Sequence, residues 1–346
     1  MSLSEHSHSE RRSIILALAS SSLSMSRKNP STAFCLLTLL CACCRIAFGQ
    51  QPAVLSADDP PYTLKMPVDE VKVIFHVSDR KADPVEHLKA EQVEVLDNGN
   101  LQTRMVAFRE YRDLPIRVGF LLDDSPSMDK QLAWSQDIAS QLISDFFRPG
   151  SDRAFTMGFG MDTRLSQNWT EDANSVSKGI ADALSKQSSG HDGTAMFDAI
   201  YKACKDNFST EEATPSGNFI LLFTDGEDNS SHVWEGEAVD MCQRARTAIY
   251  VFIPEWKARV SRGQQILEDL VSKTGGRVFY QKAQSVHDAL ALAVSDMRYQ
   301  YELIYSPPGL RRDGAFHHIR MKCKLAHTQI QVRSGYYAYA KPGKTK

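Results

Sequence analysis

A chain of 346 residues with 42% apolar content can bury a core large enough for two domains, or for one domain with additions. Its 40 basic and 42 acidic residues leave a formal charge of −2. That balance lacks the basic excess of nucleic-acid binders and argues against a purely electrostatic membrane mode, and no long single-sign run marks a charged tail.

Residues 1–49 read as a secretory signal peptide. Arg27 and Lys28 precede an apolar run over 33–44, and Ala47-Phe48-Gly49 supplies the small-residue exit. The run is short for a bilayer span, and Met25 is a candidate start, because the residues before it are unlike a signal n-region. A buried core helix is the bland alternative. Leu40-Cys41-Ala42-Cys43 loosely resembles a lipoprotein cleavage box, so a lipid anchor at Cys43 is a secondary expectation. Outside this segment, Cys204, Cys242 and Cys323 fit either one Cys204–Cys242 bridge or three free thiols.

Residues 50–67 form a linker, and 68–113 a β-patterned segment. Within it, 71–77 nearly alternates, 93–96 follows, and Asp97-Asn98-Gly99-Asn100 is a hairpin turn with a return strand expected over 102–108. From 114 to 298 strands and helices alternate. Apolar runs at 116–122, 154–159, 219–224, 249–253 and 278–280 predict strands, the first and third with the continuous apolarity of central parallel strands. Helical spacing appears over 128–147, 176–184, 196–204, 238–245, 266–273 and 286–297. The expectation is a doubly wound α/β domain with a mostly parallel, Rossmann-like sheet. Residues 299–340 return to short strands at 301–305, 317–324, 329–332 and 336–340, which could not stand alone. They are expected to pair with 68–113 into a small β-sandwich, with the α/β domain inserted between.

Three loops fall just past strand ends, where such sheets bind ligands. Asp123-Asp124-Ser125-Pro126-Ser127-Met128 follows the first strand, Gly193-Thr194 precedes the third helix, and Thr224-Asp225-Gly226-Glu227-Asp228-Asn229-Ser230 follows the third strand. In an Asp-x-Ser-x-Ser turn alternate side chains can converge, giving one carboxylate and two hydroxyls. Thr194 can add a hydroxyl and Asp225 a second carboxylate. These hard oxygen donors favour Mg²⁺, Mn²⁺ or Ca²⁺. Singly, each motif has a plainer reading: Ser127 as a helix cap, Asp225-Gly226 as a turn. His317-His318 reads as a surface pair, and the three Asn-x-Ser/Thr acceptors, Asn229-Ser230-Ser231 among them, as chance matches.

Leu121 to Met128 resembles the metal-ion-dependent adhesion site of von Willebrand factor type A domains, with Pro126 in place of the usual Gly and Asp124 as an added charge. Asp192 to Ile200 resembles that family's threonine loop, and Leu221 to Asn229 its Thr-Asp-Gly loop. The flanking Val93 to Gly99, Tyr301-Glu302-Leu303-Ile304-Tyr305 and Arg333-Ser334-Gly335-Tyr336-Tyr337 resemble the exported VWFA-related proteins of acidobacteria. The resemblance implies that Ser125, Ser127 and Thr194 hold a divalent cation directly or nearly so, with Asp123 and Asp225 acting directly or through water. It further implies an exported, periplasmic or secreted, non-enzymatic module that takes an Asp or Glu of a protein partner. A metal-dependent enzyme or chelatase-type subunit, using Glu227, Asp228 or His191, and a metal-free envelope protein are the competing readings. Oligomeric state is not fixed by the sequence.

Overall fold

The computed structural model of the protein describes residues 70–185, 193–208, 215–253, 261–280 and 285–338. The described residues all fall within one compact unit, 66–346. The segment read as a signal peptide, the linker over 50–67, Cys43 and His191 lie outside the described residues, and no helix among those described is long and apolar enough to cross a membrane.

The chain opens with β1 (Val71–Ser78), β2 (Val93–Asp97), β3 (Asn100–Leu101) and β4 (Met105–Tyr111). Asn98 and Gly99 both take positive φ, 47° and 81°, as a two-residue hairpin loop demands. The return strand departs from its expected form. β3 pairs with β2 for two residues only, after which the chain leaves for the other sheet as β4. Gln102 is buried at the break, donating Nε2 to Asn100 O at 2.8 Å, so a polar anchor ends the hairpin where apolar alternation would have extended it.

The α/β portion comprises β5 (Ile116–Asp123), α1 (Leu132–Asp145), β6 (Arg153–Phe159), β7 (Thr163–Thr170), α2 (Ala173–Ser185), α3 (Met196–Lys202), β8 (Gly217–Phe223), α4 (Glu235–Arg244), β9 (Thr247–Ile253), α5 (Arg262–Thr274), β10 (Val278–Tyr280) and α6 (Val286–Arg298). Its sheet has the order β10-β9-β8-β5-β6-β7, parallel except for β7. Every residue of β5 is buried, because helices cover both faces. Val118, Phe120 and Leu122 meet α1, α2 and α6 through Ile138, Ile180 and Leu290. Leu121 faces the opposite layer, where α3, α4 and α5 bring Ile200, Val239 and Leu267. Cys204, in a π-helical turn after α3, is disulfide-bonded to Cys242 of α4, while Cys323 is free.

The chain returns to β structure with β11 (Gln300–Tyr305), β12 (Phe316–Cys323), β13 (Gln329–Val332) and β14 (Gly335–Tyr337). Two four-stranded sheets result, β13-β1-β11-β4 and β14-β12-β2-β3, each mixing strands from both ends of the chain. Their shared core includes Val73, Phe75, Val95, Leu303 and Ile319. Asp97 is buried in it and accepts hydroxyls from Tyr305 at 2.8 Å and Tyr336 at 2.9 Å. His317 Nδ1 lies 3.4 Å from Asp97 Oδ1, so this histidine joins the polar core cluster rather than the surface pair expected for it. Burial and the neighbouring Asp97 carboxylate push both tyrosine hydroxyls well above their ordinary range.

Where the chain enters and leaves the α/β portion, Leu114 N donates to Arg298 O at 3.0 Å and Arg298 Nη1 to Leu114 O at 3.0 Å. The Arg298 guanidinium also holds Asp152 at 2.7 Å, and Asp152 in turn accepts from Ile116 N at 2.9 Å. The pair is almost fully enclosed, with side-chain exposures of 5% and 0%.

Candidate functional site

The first loop leaves β5 directly. Asp123, 1% exposed, accepts Ser125 N at 2.9 Å on Oδ1 and the Thr224 hydroxyl at 2.6 Å on Oδ2. Burial pushes its carboxyl up to about 6, against hydrogen bonds from Ser125 and Thr224, with the nearby Asp225 charge adding to the rise. Pro126 opens a 3₁₀ turn, Pro126–Gln131, which precedes α1 where the sequence suggested one continuous helix. Proline suits that first position, since its fixed φ matches the turn and its missing N–H is not needed there.

The serines do not cap this turn. Ser125 sits at the cap position without a side-chain capping bond, and its Oγ lies 3.2 Å from Ser127 Oγ. The two hydroxyls therefore hydrogen-bond to each other instead of capping the turn. Ser125 is buried and Ser127 exposed, so the pair runs from the interior to the open face.

Asp124 has a separate role. Its side chain is fully buried and ion-paired through Oδ2 with Arg164 of β7, while Oδ1 has no hydrogen-bond partner. Burial raises its carboxyl, and Arg164 only partly offsets that rise. The added charge noted in the sequence is thus engaged by the edge strand and does not reach solvent.

The other two loops are fastened to each other. Thr194, 5% exposed, donates its N–H to Asn229 Oδ1 at 2.9 Å, and its carbonyl accepts from Asn229 N and Ser230 N, both at 3.1 Å. Asp228 Oδ2 accepts Phe197 N at 2.9 Å and the Ser231 hydroxyl at 2.6 Å. Asp198 Oδ1 accepts Val233 N at 2.8 Å and His232 N at 2.9 Å. Asp225 is half-buried and accepts Glu227 N at 3.1 Å. Gly226 has φ +84°, and a Cβ there would stand 2.5 Å from the Gly263 carbonyl oxygen, so no other residue fits the turn that presents Asp225.

Of the five residues singled out by sequence, Asp123 ends β5, Ser125, Ser127 and Asp225 follow strand ends, and Thr194 precedes α3, all at the carboxyl edge of the sheet. Thr224 links the first loop to the third, and Asn229 links the third to the second. Asn229, Asp198 and the buried role of Asp124 were not foreseen. The partners described for them lie 34 to 40 residues away in sequence and no local spacing announces them. Among the described residues no group of three or more His, Cys, Asp or Glu side chains could hold a metal; the oxygen donors here are mostly hydroxyls.

No curated protein matches the sequence. Among solved structures, proximal thread matrix protein 1 of the mussel byssus is 16% identical, with 54% of this chain and 49% of that one covered at a TM-score of 0.39. This chain thus spans about half the length of the mussel protein, which is also known with a zinc-occupied MIDAS motif. BatB of Bacteroides thetaiotaomicron is 20% identical over 52% of this chain and 96% of its own, TM-score 0.40. Manganese-loaded TRAP of Plasmodium vivax is 16% identical over 67% and 99%, TM-score 0.38. The model of the von Willebrand factor type A domain matches residues 118–291, half of the chain and the span that carries all three loops. This chain belongs to the von Willebrand factor type A domain family.

Proposed function

We propose that the protein is an exported, non-enzymatic binding module that grips an Asp or Glu of a protein partner through a divalent cation. The observation that carries the reading is the convergence of the Ser125 and Ser127 hydroxyls. Their 3.2 Å separation suits two adjacent oxygens of an octahedral site, which stand about 3 Å apart around a small divalent ion. Ser125, Ser127 and Thr194 would hold the ion, with Asp123 and Asp225 supplying charge directly or through water. Mg²⁺ or Mn²⁺ fits this set best, with Ca²⁺ as the larger alternative. A bound cation supplies an open, electrophilic position for a partner carboxylate. The chain's own contribution is a rigid three-loop frame that opens to the surface at Ser127 and Asp225.

Asp228, a candidate base in the enzymatic alternative, is committed to Phe197 N and Ser231. That commitment supports a binding role over catalysis. Export to an oxidising compartment is supported by the Cys204–Cys242 bridge together with the signal-like segment. The resemblance of the flanking motifs supports a kinship with the exported VWFA-related proteins of acidobacteria. Titration calorimetry of Mg²⁺ and Mn²⁺ into chelator-stripped protein tests the core of this proposal. Saturable binding is expected, lost in Asp123→Ala and Asp225→Ala variants whose circular dichroism is unchanged. Equal binding in the wild type and both variants would rule out the assigned ligands.

A further inference from the structure

At the opposite end of the sheet, where β8 and β9 begin, the α/β portion meets the β-sandwich across a cleft of about 510 Å³. That volume suits a small organic ligand. Its walls combine apolar side chains, among them Ile74, Met297 and Leu310, with a set of charged groups.

Most of the charges on the wall are locally satisfied. Lys72 and Arg246 both reach Glu302, at 3.4 Å and 3.3 Å, and Arg244 pairs with Asp240 at 2.7 Å. Arg277 holds Asp296 at 2.7 Å. Arg333 differs. It opens the Arg333-Ser334-Gly335-Tyr336-Tyr337 motif, and its one hydrogen bond among the described residues runs from Nη2 to Lys72 O at 2.8 Å. No carboxylate among the described residues lies within ion-pair distance of it, and its Nε is buried with no acceptor. The guanidinium carbon stands 5.9 Å from the Tyr336 ring. Arg333 is half-buried, and burial lowers its pKa to about 10. A guanidinium with no ion-paired carboxylate among the described residues, Asp240 acting on it only at longer range and paired to Arg244, stands on the wall of a cleft with apolar sides and is a ready-made site for an oxyanion.

We propose that this cleft is a second binding site, taking a small amphipathic anion whose acidic head pairs with Arg333 and whose apolar body lies against Ile74, Met297 and Leu310. The site is independent of the metal loops. It also gives the closing Arg-Ser-Gly-Tyr-Tyr motif a task, since Arg333, Tyr336 and Tyr337 all line the cleft.

The test is a fluorescence titration of the full chain with 8-anilinonaphthalene-1-sulfonate, alongside its uncharged relative N-phenyl-1-naphthylamine. The anionic probe should bind saturably and at least tenfold more tightly than the neutral one, with no change on adding EDTA. Arg333→Met should weaken the anionic probe at least tenfold and leave the neutral one unchanged, while Arg333→Lys restores most of the affinity. Displacement of the probe by decanoate would assign an acyl-chain acid, and displacement by 1-naphthoate an aromatic acid. Failure of both to displace it would overturn the proposal, as would equal affinity for the two probes, a comparison that stands even if a variant does not fold. Because EDTA removes any cation from the three loops, this site and the metal site can fail separately.

Discussion

Thr224 stands just past β8 with its hydroxyl in two bonds at once. It donates to Asp123 Oδ2 at 2.6 Å and accepts Gly226 N at 3.2 Å, so one atom sets the distance between the first and third loops. Valine has nearly the same shape and neither bond. Thr224→Val would leave a carboxylate oxygen of a 1%-exposed aspartate without its partner, at a cost of ~1–3 kcal/mol in the cation-free protein. Looser placement of Asp123 should also weaken Mg²⁺ or Mn²⁺ binding by about tenfold, equivalent to ~1.4 kcal/mol. Thr224→Ser keeps the hydroxyl and should keep both properties. Urea unfolding with calorimetry checks the pair of effects. A valine variant that binds cation as the wild type does would show that the Ser125 N–H alone orients Asp123.

At the scale of elements, the disulfide joins the π-helical turn after α3 to α4, two pieces on the layer that supports the threonine loop. Both cysteines are fully buried, and 38 residues separate them. Closing a loop of that length limits the unfolded chain by up to ~4 kcal/mol, with native-state strain reducing the measured gain. The Cys204→Ser, Cys242→Ser double variant should therefore lose ~2–4 kcal/mol in chemical unfolding, and wild type unfolded under reducing conditions should show the same shift. No loss in either would mean that packing of α3 against α4 is sufficient alone. The bridge was one of two readings open to sequence, because spacing cannot say which cysteines meet.

Other elements show the same division. β5 and β8 were legible because strands covered on both faces carry unbroken apolar runs, Val118 to Leu122 and Phe219 to Phe223. β7 escaped notice, since Thr163-Arg164-Leu165-Ser166-Gln167-Asn168-Trp169-Thr170 is an edge strand with no fully buried residue and no apolar alternation. Asp123, Ser125 and Ser127 were readable as a converging set from their spacing along a turn, and Thr194 and Asp225 as candidates from their loops past strand ends. The fasteners Asn229 and Asp198 were not, because each acts on backbone groups of a different loop.

For the whole molecule, the decisive joint lies where the chain enters and leaves the α/β portion. Arg298 ends α6 just before β11, and its guanidinium binds Asp152, Leu114 O and Phe146 O together. Through Asp152 it also fixes Ile116 N at the start of β5. One ion pair thus ties the base of the parallel sheet to the first residues of the sandwich strand. Replacing Arg298 by Met fills similar volume but abandons a fully buried carboxylate, which costs ~3–5 kcal/mol when one partner of an enclosed pair is removed. The sharper expectation concerns cooperativity. The tryptophans among the described residues, Trp134, Trp169 and Trp234, all stand in the α/β portion, so their fluorescence follows that portion, whereas far-ultraviolet circular dichroism follows both portions. In wild type the two signals should trace one coincident urea transition, as a single cooperative unit requires. In Arg298→Met the fluorescence transition should move to lower urea and separate from the dichroism curve, because the sandwich keeps its own core around Val73, Val95 and Leu303. Coincident curves shifted together would instead place the coupling in the wider contact between the two portions, with the Arg298–Asp152 pair contributing stability to the whole and not holding its parts together.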